Sequence, residues 1–119
     1  MARLSFVSMG RAKKRVLVLI KPKDPDDMIA GNSSLGTPKE LCAALARFNT
    51  AADGAQVTRL GTMVLHGPGY TVEYALGHDE LMQAMVVVNV MDFALPVLSK
   101  MCRANGWKMQ DTESGQIFG

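Results

Sequence analysis

The chain has 119 residues, of which 48% are hydrophobic and 20% charged, a balance that excludes a disordered tail and suffices for one domain with a real core. Its longest apolar runs, Val16–Ile20 and Ala84–Val88, are too short to span a membrane. Two cysteines, Cys42 and Cys102, do not make a disulfide scaffold, so a cytoplasmic location is expected.

The net charge of +2 conceals an asymmetry, because residues 1–23 hold seven of the thirteen basic side chains and none of the eleven acidic ones. Residues 1–14 are therefore read as a basic arm or edge strand, and residues 15–119 as the single domain. Arg11, Lys13, Lys14 and Arg15 are the candidates for phosphate contact, and each contact steepens the salt dependence of nucleic-acid binding. No zinc-finger spacing, helix-turn-helix pattern or aromatic RNA-binding motif accompanies them, so nucleic acid ranks as a secondary reading.

Arg15–Lys21 is the first predicted strand, with Val16, Leu17, Val18, Leu19 and Ile20 apolar at every position. Such a strand belongs at the centre of a sheet, covered on both faces. Lys21–Gly36 follows as a long loop rich in proline, aspartate, glycine and serine. Thr37-Pro38-Lys39-Glu40 is a capping box with proline at the first helical position. The helix it starts carries Leu41, Leu45 and Phe48 on one stripe and fades by Asn49–Thr50. Cys42 lies beside that stripe as a half-buried filler.

Thr62–His66 and Thr71–Leu76 flank Gly67-Pro68-Gly69-Tyr70 and read as a β-hairpin. With Pro68-Gly69 as its loop, Leu65 pairs with Val72 and Met63 with Tyr74. The other face then carries Thr62, Val64, His66, Thr71, Glu73 and Ala75. A type II turn fits strand twist poorly, so a bulged four-residue form is the alternative. Ala84–Met91 is a further Val-rich strand, after which Asp92 offers an N-cap and Pro96 limits the helix start. Asn105-Gly106 closes that helix, Trp107–Asp111 is a strand, Thr112–Gly115 a turn and Gln116–Phe118 a short strand.

The order β-α-β-β-β-α-β-β predicts an α+β fold, two helices packed on one face of a mostly antiparallel sheet of about five strands. The expected architecture is similar to the ferredoxin-like sandwich, with extra strands. The strand, helix and strand between Ala84 and Asp111 form a right-handed crossover. Two helices cover one face, yet Val16–Ile20 and Ala84–Val88 are apolar on both. The basic N-terminal arm could cover the other, and a second copy of the chain could do so better, through sheet faces or an edge strand, so the chain reads as a homodimeric binding module for a protein or small ligand.

The chemistry-bearing residues are sparse. His66 and Glu73 fall diagonally across the hairpin on one face, an arrangement that can orient a general base. They are the candidate catalytic pair of an alternative reading, an acid–base isomerase or hydrolase; the plainer reading is a polar surface pair. His66 and His78 sit at opposite ends of the hairpin, and no ligand spacing suggests a metal or cofactor. Gly67-Pro68-Gly69 is a turn and no phosphate cradle, and His78-Asp79-Glu80 is a polar turn. Nine methionines suit adaptable packing or a Met-lined contact surface.

Overall fold

Strand β1 (Arg15–Pro22) takes the middle of the sheet, where a strand apolar on both faces gains most. The computed structural model describes residues 15–24, 26–52, 58–59 and 61–119. Strand β6 (Ala84–Val88) lies on one side of β1 and β7 (Lys108–Asp111) on the other, both antiparallel to it. Beyond β6 come β5 (Tyr70–Ala75), β4 (Thr62–Gly67) and β3 (Thr58–Arg59), and beyond β7 comes β8 (Ile117–Phe118). Strand β2 (Asn32–Ser33) joins the end of β1 at Lys21 and Pro22. With helices α1 (Pro38–Ala46) and α2 (Met91–Asn105), this is an α+β fold on an antiparallel sheet.

Among the described residues the sheet has eight strands where about five were expected, and β2 and β3 come from segments not read as strand. Between Lys21 and Gly36 the chain makes a 3₁₀ turn at Met28–Ala30 and returns along β1, with Lys23 N–H donating to Gly31 O at 2.9 Å. Asx turns at Asp24 and Asp27 build that return, local bonding that propensity reads only as loop. The basic arm expected at residues 1–14 lies outside the described residues.

Helix α1 begins at its predicted capping box, with Thr37 Oγ1 accepting from Glu40 N–H and Glu40 accepting from Thr37 N–H. It ends where Asn49 adopts a left-handed φ of 57°, so that Thr50 N–H reaches Leu45 O and Asn49 N–H reaches Ala46 O. These are the two bonds of a Schellman ending. Helix α2 departs from expectation. It starts at Met91 after an N-cap at Val90, so Asp92 sits in its first turn and caps nothing. Pro96 lies inside the helix and leaves the carbonyl of Asp92 without its helical donor. The strand before it accordingly stops at Val88, short of Met91. The left-handed Gly106 ends the helix as read from the sequence, and Trp107 N–H donates back to Cys102 O.

The hairpin adopts the predicted register, with Leu65 opposite Val72, Met63 opposite Tyr74 and Gly67 opposite Tyr70. Its two-residue loop is held from outside, because Gly69 O accepts from Asn89 N–H at 2.8 Å and Val90 N–H at 3.0 Å. That anchoring offsets the mismatch between a type II turn and strand twist. Gly69 has a φ of 76°, which a residue with a side chain adopts only under strain.

The core lies between one sheet face and the helices. Leu17 and Leu19 of β1, Val72 and Tyr74 of β5, Val86 and Val88 of β6 and Met109 of β7 meet Leu41 and Leu45 of α1 and Leu98 and Met101 of α2. Thr50, fully buried, shares a 2.5 Å hydrogen bond with the Tyr70 hydroxyl and donates to Phe48 O. This satisfies the phenol in the core and ties the end of α1 to β5. Gly67 makes room for the pair, since a Cβ there would stand 2.6 Å from both Thr50 Oγ1 and the Tyr70 ring. Gly67→Ala is expected to lower stability by about 1–3 kcal/mol in urea denaturation. A drop as small as that of an ordinary surface substitution would contradict this packing.

Candidate binding face

Along each strand every second side chain points away from the helices, and the ladder lines these residues into rows. One unbroken row runs Val64, Glu73, Met85, Val18, Gln110, Ile117 across β4, β5, β6, β1, β7 and β8. The next runs His66, Thr71, Val87, Val16, and Thr112 continues it by donating from its N–H and Oγ1 to Val16 O. None of Val16, Val18, Val64, Met85 or Val87 belongs to the described core. The four valines are half-exposed, and Met85 and Ile117 keep 45% and 39% of their surface in water. Met85, Val87, Val16 and Val18 adjoin one another, while Glu73 separates Val64 and Gln110 separates Ile117 from them, and an apolar patch of this kind is the informative departure from an ordinary exterior.

The candidate pair stands on this face. His66 is opposite Thr71 and Glu73 opposite Val64, so the two are diagonal neighbours as the register required. His66 is exposed and Glu73 half-buried. Glu73 also lines a shallow recess of about 230 Å³ with Val18, Thr62, Ala75, Gln83 and Met85. Sequence reading singled out Glu73 and missed the recess, because Gln83 and Val18 reach it only through pairing across β6 and β1. His78 lies beyond the end of β5 beside Glu80 and Met82, in an adjoining hollow that shares Ala75 and Gln83 with the recess. Among the described residues no group of three His, Cys, Asp or Glu side chains could hold a metal ion. No helix among them is long and apolar enough to cross a membrane.

Of the four basic candidates, Arg15 is described and Arg11, Lys13 and Lys14 lie outside the described residues. The Nε of Arg15 donates to Asp111 at 2.7 Å, and its guanidinium sits 5.3 Å from the centre of the Phe118 ring.

No family model, curated protein or solved structure matches the chain.

The site therefore rests on its own geometry, and among the described residues Asp111, Cys42 and Cys102 have burial or partners of their own. Asp111 also accepts from the N–H groups of Glu113 and Ser114 and so shapes the turn into β8. The Arg15 guanidinium first, then those two amides, hold its carboxyl below the ordinary 3.8. A carboxyl depressed on folding stabilises the native state above its unfolded value, and this is lost as pH falls through the folded one. The melting-temperature gap between the native sequence and Asp111→Asn should be present at pH 6 and narrow once pH falls below 3.8. A gap independent of pH would contradict the ion pair.

Burial pushes the Cys102 thiol up to about 11, which leaves little thiolate at neutral pH. Cys42 is half-buried with its Sγ 3.5 Å from the Tyr74 hydroxyl, and burial first and that contact second push the phenol up to about 12. The folded chain at pH 8 should take up iodoacetamide at Cys42 alone, with Cys102 labelled only after unfolding. Labelling of both at equal rates in the folded state would contradict this assignment.

Proposed function

We propose that this chain is a non-catalytic binding module that acts as a homodimer, two copies meeting through the open sheet face. The observation that carries the reading is the apolar band of Val16, Val18, Val64, Met85 and Val87, which stands outside the core. The edges of the sheet are poorer meeting places. Strands β3 and β8 are two residues each, and Ala51 pairs with His66 to close more of the β4 edge. Short edges of this kind limit strand-to-strand association. The recess beside Glu73, lined by Val18 and Met85, lies within the same face and is covered when a second copy is seated there.

The kinship with the ferredoxin-like sandwich belongs to this reading. Its support is the run β5-β6-β1-β7, in which β6 and β7 are joined by α2 and flank β1. The acid–base alternative draws on the diagonal of His66 and Glu73. It has no assembled nucleophile, and the binding reading accounts for more of the face.

Light scattering after size exclusion at micromolar concentration tests the proposal. The full chain is expected at twice its 12.9 kDa mass, and Val18→Asp at the monomer mass with unchanged circular dichroism. A monomer at 100 micromolar would overturn it, as would a Val18→Asp variant that still dimerises.

A further inference from the structure

The rows of the open face have a symmetry that fixes how a second copy would sit. Read outward from the line between β6 and β1, the longer row gives Met85, Glu73, Val64 to one side and Val18, Gln110, Ile117 to the other. The sequence of characters is apolar, polar, apolar in both directions. In the second row Val87 then Thr71 stand to one side and Val16 then Thr112 to the other, with His66 beyond Thr71 breaking the alternation. A two-fold axis parallel to the strands along that line would lay β6 over the partner's β1, β5 over its β7 and β4 over its β8. Apolar residues then meet apolar ones, and polar residues meet polar ones, at both rows.

Charge selects this axis over the other face-to-face arrangement. Lys108 follows the alternation of Gln110 on β7 and pairs with Ile20, one row along from Gln110. Two residues of strand separate the rows by about 7 Å, a span a lysine side chain can bridge. An axis along the strands therefore brings each Glu73 within reach of a Lys108 in the other copy. An axis across the strands at the long row would instead set Glu73 over Glu73, a like-charge contact that disfavours pairing. Lys108 is half-exposed, and its Nζ donates at 3.1 Å to Gly119 O, a surface bond that can be exchanged for a carboxylate.

We infer that the open face binds a second copy of this chain about a two-fold axis parallel to β1 and β6, with Glu73 of each copy paired to Lys108 of the other. The inference rests on the homodimer reading and adds its orientation and its specificity residues. Aligned packing of two such faces about 10 Å apart is a standard arrangement for sheets.

A charge exchange tests it. Glu73→Lys alone places two lysines at each contact, and Lys108→Glu alone places two glutamates there. Each variant by itself should dimerise at least ten-fold more weakly than the native chain. An equimolar mixture should recover the native affinity, because each variant supplies the charge the other lacks, and that recovery also shows both variants folded. The readout is sedimentation equilibrium across 1–100 micromolar. Single variants that dimerise like the native chain, or a mixture that stays as weak as they are, overturn the orientation while leaving a native dimer intact. A native chain that is itself monomeric overturns the homodimer reading and this inference together.

Discussion

A strand that is apolar on both sides, set in the middle of a sheet with helices on one side, leaves half of its side chains facing away from the core. Strand β1 imposes this condition on the whole molecule. Leu17 and Leu19 point into the core, and Val16 and Val18 point away from it. Strand β6 repeats the condition with Val86 and Val88 inside and Met85 and Val87 outside. Strand propensity accounts for a valine on either face but not for Met85, which is not β-branched.

What ties the helix-bearing side together is a small set of polar bonds placed where elements end. Thr50 and Tyr70 join the exit of α1 to β5, Gly69 O joins the hairpin loop to the chain entering α2, and Arg15 and Asp111 join β1 to the turn before β8. Each satisfies a buried or half-buried group while fixing one element against another.

Much of the fold was legible because the signals were local. The Thr37–Glu40 capping box, the Asn105-Gly106 ending and the Gly67–Tyr70 hairpin each state their geometry within four residues, and each is found. The hairpin register also puts His66 and Glu73 on one face from the sequence pattern alone. The start of α2 misled, because Asp92 and Pro96 together mimic a cap and an N-terminal proline. The helix instead begins earlier, on bonds from Phe93 and Ala94 N–H to Val90 O. Strands β2 and β3, at two residues each, are too short to show any period. The rows of the open face were hidden for another reason. They join residues nearly a hundred positions apart, such as Val18 and Gln110, and exist only once strand order is known.

The account stands or falls on whether the open face is in contact with a second copy in solution. The ε-methyl of Met85, in the middle of the long row, reports on this, with the methyls of Leu95, exposed on α2, as the reference. Paramagnetic relaxation of both residues' methyls by a soluble gadolinium chelate, followed from 10 to 500 micromolar protein, is the direct measurement. Met85 is expected to become protected as concentration rises while Leu95 stays equally accessible. Equal and concentration-independent relaxation of the two residues would contradict a dimer through this face.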